Sequence, residues 1–200
     1  MDTLLDFPAK LSVSPHVMGA IREEGCNLAV WERGAKLSFT ALLAKELEDV
    51  RFAATLAQLR PRLPGELDQA GYPDTPERLA LIEDIVDLAQ RYGAIMDLEA
   101  VSLRLSIITT NRCRKFHADY VKARLITTYV GTGTQWIDTQ DAARVARGET
   151  PHRIHTMNSG DVGLFKGRIW TQTPAIHRSP PIEGTGETRL MLVLDPIREG

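Results

Sequence analysis

The apolar residues of this chain change period near residue 98, and that switch limits the fold more than any other feature. In residues 101–107, Val101, Leu103, Leu105 and Ile107 alternate with Ser102, Arg104 and Ser106. A period of two marks a strand with one buried face. Upstream the period is longer. Phe39, Leu43, Leu47, Val50, Ala54 and Ala57 recur every three or four residues, which predicts a helix over 38–60 ended by Pro61 and Pro64. Thr75 and Pro76 read as an N-cap followed by proline at the first helical position. Ile82, Ile85, Val86, Ala89 and Tyr92 supply a second stripe, with Gly93 as its stop. Before these, residues 16–24 read as a turn or two of helix and "NLAVWER" (27–33) as a short strand.

Downstream, strand-like runs fall at 114–120, 123–130, 152–157, 161–166, 168–172 and 187–195. "GTGT", "NSGD", "KG", "SPP" and "EGTGE" punctuate them as turns. Many short strands at close spacing predict a sandwich or jelly roll. Residues 138–149 read as a polar, partly helical insertion. The last strand, "RLMLVLD", is apolar on both faces, as expected of a strand covered on both sides. The expected fold is α+β: a C-terminal jelly roll with a helical N-terminal half packed on one sheet. A length of 200 residues favours a single domain over 1–200. Residues 1–95 would be mainly helical support, and 96–197 the jelly-roll core carrying the site.

Composition narrows the functions. The net charge of −2 gives no case for nucleic acid or an acidic membrane as partner. Cys26 and Cys113 are the only cysteines, too few for a zinc finger or a disulfide scaffold. "MDTLLDFPAK" lacks the basic start and apolar run of a signal peptide, and no run is long enough to span a bilayer. The expectation is a soluble, cytoplasmic protein acting on a small molecule.

The candidate site starts at "KFHADYVKARL" (115–125). On a strand, His117 and Asp119 share a face, with Cβ atoms roughly 7 Å apart. Imidazole and carboxylate can then converge on one ion such as Fe(II), Mn(II) or Zn(II). His177, in "AIHRSPP" after an apolar strand, is the best third ligand. Two histidines and a carboxylate form the facial triad of non-haem iron oxygenases. The alternative is that these are hydrogen-bonded structural residues. Arg189 lies 12 residues after His177 and has the planar fork that grips a carboxylate. Arg124 is its rival.

Other residues have simpler readings. Cys113 is a buried structural cysteine, and His152 and His155 face opposite sides. "GTGTQW" is a hairpin turn. Trp136 is a core aromatic or lines the pocket mouth. Thr127 and Tyr129 point toward the metal, and Trp31 and Trp170 are core. No serine sits in a nucleophile elbow.

"FHADY", "GDVGLFKG", "AIHRSP" and Arg189 resemble the double-stranded β-helix of the Fe(II)/2-oxoglutarate oxygenases. The chain as a whole resembles the bacterial family catalogued as domain of unknown function 1826. That resemblance rests on "NLAVWER", "CRKFHADYVKARLITTYVGTGTQWI", "VGLFKG", "IHRSPP" and "RLMLVLD", in order over most of the chain. The resemblance implies a double-stranded β-helix, metal ligation by His117, Asp119 and His177, and Arg189 or Arg124 holding the far carboxylate of 2-oxoglutarate. One position departs from the oxygenase pattern. Many of those enzymes have serine or threonine two residues after the basic residue, where this chain has Met191. The expected function is an Fe(II)-dependent dioxygenase. The alternative is a non-catalytic protein binding zinc or iron.

Overall fold

The computed structural model describes residues 8–34, 38–44 and 46–197. A seven-stranded sheet forms its centre. The strands are β1 (Ala9–Ser12), β2 (Leu28–Trp31), β3 (Val50–Thr55), β4 (Ala100–Ile108), β5 (Ala123–Val130), β6 (Gln135–Ile137), β7 (His155–Thr156), β8 (Val162–Lys166), β9 (Ile176–Arg178) and β10 (Arg189–Pro196). The large sheet runs β1-β2-β8-β5-β10-β4-β3, and the small one β7-β6-β9. Three helices, α1 (Leu56–Gln69), α2 (Pro76–Met96) and α3 (Thr139–Ala146), and 3-10 helices at Pro15–Arg22 and Thr40–Ala44 complete the described elements. None of the described helices is long and apolar enough to cross a membrane.

The large sheet divides two cores. Val101, Leu103, Leu105, Leu125, Leu190, Leu192 and Leu194 face α1 and α2. Leu28, Val30, Ile126, Phe165 and Val193 face the other way and pack with Trp136 of the small sheet. Leu190, Leu192 and Leu194 of β10 join the helix-side core and Val193 the other, so layers on both sides of the sheet cover this strand.

β2 falls within "NLAVWER", where a strand was expected, but the helical N-terminal half is corrected: it also supplies β1 and β3. The helix over 38–60 does not form. Val50, Phe52 and Ala54 are buried at a period of two and pair β3 with β4. Their spacing with Ala57 mimics a helical stripe only by chance.

Pro61 and Pro64 lie inside α1. An interior proline costs about 3 kcal/mol. Leu59, Leu63 and Leu67 are fully buried, each contributing about 1.5–3 kcal/mol. The carbonyls deprived of a donor belong to Ala57 and Arg60, both exposed positions.

Thr75 does cap α2, accepting from the Arg78 N–H. Gly93 does not stop that helix, which runs on to a left-handed C-cap at Asp97, φ 55°. A Cβ on Gly93 would sit 2.4 Å from Leu56 Cδ1, so the glycine permits close packing on the start of α1.

Three further expectations are corrected. Residues 114–120 are not a strand, and only His117 makes a bridge. Residues 168–170 are a turn, and the strand run of 152–157 shrinks to His155–Thr156. "GTGT" is not a hairpin, because it carries the chain from β5 in one sheet to β6 in the other. The turn is tight: a Cβ on Gly133 would lie 2.1 Å from the Met157 carbonyl oxygen.

Gly133→Ala should therefore destabilise the fold by about 1–3 kcal/mol, since backbone must move. Gly65→Ala, in α1 with open space around it, should stabilise by about 0.5–1 kcal/mol. Chemical denaturation of the two variants checks both signs.

Candidate metal centre

An isolated backbone bridge ties β9 of the small sheet to the segment before β5. His117 N–H donates to His177 O and His177 N–H to His117 O, each at 3.0 Å. His177 sits on β9 and His117 in an otherwise irregular segment, so this pair, with the Ser179 N–H donating to Cys113 O at 3.0 Å, brings the imidazoles together. Their ring centroids are 4.8 Å apart. Asp119 follows two residues on. His117, Asp119 and His177 each offer a ligand atom within 4.8 Å of the others'.

The hydrogen bonds fix which atoms face the centre. His117 Nδ1 donates to Lys115 O at 2.9 Å and His177 Nδ1 to Ala175 O at 3.3 Å. Tying off Nδ1 leaves the Nε2 lone pairs for another partner. His177 Nε2 lies 3.2 Å from Asp119 Oδ2, and His117 Nε2 lies 3.8 Å from Oδ1. Oδ2 is buried and accepts no hydrogen bond. With the imidazole neutral, two lone-pair atoms face each other across 3.2 Å, and either a proton on Nε2 or a shared cation relieves the contact.

Burial pushes the Asp119 carboxyl up, but His177, Arg124 and His117 outweigh it and hold the group below its ordinary range. The carboxylate is thus ionised and ready to ligate. These donors fit a divalent ion with mixed nitrogen and oxygen ligands.

Arg124, on β5, clamps the carboxylate from behind. It donates to Asp119 Oδ1 and, through Nε and Nη2, to both oxygens of Asp195 at 2.7 and 2.8 Å. Two carboxylates satisfy this guanidinium.

Arg189 differs. It is fully buried, yet donates only to neutral acceptors: Thr132 O at 2.6 Å, Ser179 Oγ at 3.1 Å and Thr128 Oγ1 at 3.2 Å. No salt bridge reaches it among the described residues. Met191 Sδ lies 3.9 Å away. Burial pulls its pKa down to about 10, against the opposing charge of Glu187. It stays protonated at neutral pH. Ser179 and Met191 also line a half-open cleft of about 120 Å³ that includes His117 and His177.

Several expectations for neighbouring residues change. Cys113 is exposed, with φ 55°, because the segment around it is a turn and not a strand. Thr127 has the parity of Leu125 and Tyr129, which pack on the helix side, so neither Thr127 nor Tyr129 points to the centre. Tyr129 instead donates to Asp84 of α2 at 2.8 Å. Trp136 is core and stacks on His155 at 4.1 Å. Trp31 packs against the helix-side core, but Trp170 is 38% exposed, with Lys166 Nζ over its ring.

The family described as protein of unknown function, DUF1826, matches residues 12–195. The chain belongs to this family. No curated protein matches it. Among solved structures, this DUF1826 chain is similar to dioxygenase for auxin oxidation 1 of Arabidopsis thaliana in its 2-oxoglutarate complex. Identity there is 10% over 84% of this chain and 68% of that one, with TM-score 0.44. It is also similar to AviO1 from Streptomyces viridochromogenes Tue57, at 16% identity over 83% of this chain and 99% of that one, TM-score 0.37. Hydroxypropylphosphonic acid epoxidase from S. wedmorenis is 12% identical, covering 48% of the DUF1826 chain and 42% of the epoxidase, TM-score 0.32. The DUF1826 chain thus spans under half of the epoxidase's length.

Sequence reasoning missed Asp195, the second partner of Arg124. Its signal is parity: Asp195, Val193, Met191 and Arg189 alternate on β10 with leucines facing the helices.

The donor set predicts that the wild-type chain binds Mn(II) or Zn(II), and that His177→Ala weakens binding by at least about tenfold, as loss of one ligand requires. Imidazole ligands must be neutral, so affinity should fall as pH drops from 8 to 5. Calorimetric titration of metal across that range checks both; affinity flat with pH would exclude histidine ligation.

Proposed function

We propose that this chain is a non-haem Fe(II)-dependent dioxygenase that uses 2-oxoglutarate. The observation carrying the reading is the triad itself: two Nε2 atoms and an unsatisfied buried Oδ2 converge beside a cleft. A triad of this kind occupies one face of an octahedron and leaves positions for a cosubstrate. Iron bound there would supply oxygen activation, with 2-oxoglutarate decarboxylated to succinate as the source of electrons.

The chain's own residues have distinct tasks. His117, Asp119 and His177 hold the ion. Arg124 keeps Asp119 ionised and aimed. Arg189 binds the far carboxylate of 2-oxoglutarate, exchanging neutral acceptors for a charged one. A charged bidentate pair is stronger than the bonds it replaces. Arg124, already saturated by Asp119 and Asp195, is the weaker candidate for that role. The jelly-roll reading of the two sheets belongs with this proposal, as does action on a small molecule.

One observation favours a second reading, metal binding without oxygenase chemistry. The Arg189 guanidinium is already held by Thr132, Ser179 and Thr128, and Met191 stands where a hydroxyl would assist the cosubstrate. Zinc would suit the same triad.

The readings separate on one assay. Protein loaded anaerobically with Fe(II) should release succinate from 2-oxoglutarate, and His177→Ala should release none above background. Arg189→Gln should raise the KM for 2-oxoglutarate by at least about tenfold, the effect of losing a charged hydrogen bond of about 1.5–3 kcal/mol. Arg189→Lys keeps the charge and guards against a folding defect, and should retain part of the activity. No succinate from the wild type, with zinc held against excess iron, would establish the second reading.

A further inference from the structure

We propose that the substrate is a small molecule with an anionic head, a phosphate or carboxylate, that docks on Arg51, Arg104 and Arg112. The inference rests on the metal reading of the triad, since it describes what lies beside it. Arg51, Arg104 and Arg112 line the same cleft as His117 and His177. Arg51 and Arg104 are direct partners across β3 and β4. Like charges placed opposite each other on neighbouring strands destabilise a sheet. Yet among the described residues neither makes an ion pair or side-chain hydrogen bond, and the same holds for Arg112.

The aspartates nearest the cleft are committed elsewhere, and Glu46 meets Arg112 only in a separate cleft. Asp119 and Asp195 are taken by Arg124. Asp49 accepts from the Ile107 N–H at 2.8 Å and from Ser106 Oγ at 3.2 Å. No aspartate or glutamate lines the cleft. Arg104 is half-buried, and its own charge is disfavoured first by burial, then by Arg124, with Asp195 opposing and Arg51 adding to the repulsion. A cation bound at the triad would raise the local positive potential further.

An oxyanion is what such a cluster lacks: arginine forks recognise phosphate and carboxylate by paired, charged hydrogen bonds. The rest of the lining suggests the body of the ligand. Ile126, Met191 and Val193 form an apolar floor between the arginines and His177. A carbon skeleton tethered by its anionic end would cross this floor toward the metal.

The test uses the full metal-free chain, titrated calorimetrically with inorganic pyrophosphate and, in a second arm, citrate. Binding is expected, tighter for whichever oxyanion the cluster fits. Arg51→Gln and Arg104→Gln should each weaken it about tenfold or more, as for a lost charged hydrogen bond. Arg147→Gln, an exposed arginine outside the cleft, should not change it. The melting temperatures of Arg51→Gln and Arg104→Gln should equal or exceed wild type, because repulsion is relieved; a clear fall would make the arginines structural and overturn the proposal. Equal weakening by Arg147→Gln, or no effect of Arg51→Gln and Arg104→Gln, would also overturn it. So would full displacement of the probe by 2-oxoglutarate in Arg189→Lys, which would assign the cluster to the cosubstrate. The metal reading fails separately. A chain that binds Mn(II) but neither anion sinks this inference alone, and one that binds anions through Arg51 and Arg104 but no Mn(II) sinks the metal reading.

Discussion

Two backbone hydrogen bonds, exchanged between His117 and His177, hold the centre in place. Neither residue is secured by a long strand. β9 has three residues, and His117 belongs to no strand. The bridge closes a loop of about 60 residues, an entropic cost that rises only slowly with length. What stabilises the closure is the packing beneath it. Phe165 lies against the His177 ring at 4.7 Å, and Trp136, the register partner of His177, is buried between the sheets. Asp119 is held from the opposite side. Arg124 and Asp195 stand on β5 and β10, adjacent central strands of the large sheet, so a rigid pair fixes the carboxylate. The triad is thus a junction: the small sheet supplies one ligand and the large sheet aims another.

The legible part of the fold was the part governed by a single physical signal. β4 could be read because burial follows its period from Ala100 to Leu105, and β10 because it is apolar nearly throughout and buried in the centre of the sheet. The α2 start could be read because Thr75 and Pro76 act locally. Failures came where packing overrides pattern. Residues 50–57 hold a strand edge and a helix start, whose joint spacing imitates one helical stripe. Pro61 and Pro64 argue against a helix that a buried leucine stripe then sustains. Gly93 looks like a stop, yet its lack of a side chain serves the contact with Leu56.

The site shows the same division. His117, Asp119 and His177 were found by residue type and spacing, although the strand on which the spacing argument relied does not exist. The segment is a turn, and the two side chains converge because a bridge and an ion pair position them. Convergence from a loop is less constrained by parity than from a strand, which is why residues chosen by a strand argument still come together without the strand. Asp195 was missed because parity along β10 places it on a face without naming its partner, and Arg51 because it lay in a stretch read as helix. Their meaning lies in cross-strand pairing, which one chain read in order does not display.

The two faces of the large sheet carry opposite burdens. The helix face is largely apolar, with Val101, Leu103, Leu105, Leu190, Leu192 and Leu194 all fully buried. The other face places Arg51, Arg104, Arg124 and Arg189 on four neighbouring strands, and only Arg124 meets carboxylates. Burying the Arg189 guanidinium against neutral acceptors opposes folding, and so does setting Arg51 against Arg104. The helix face must offset both. Such a sheet separates stability from recognition by parity along the same strand: alternate residues of β4 and β10 either hold the fold or confront the ligand. Local charge conflict that the fold tolerates without relieving is expected where a ligand completes the set. On this chain that conflict is confined to the face that also carries the triad.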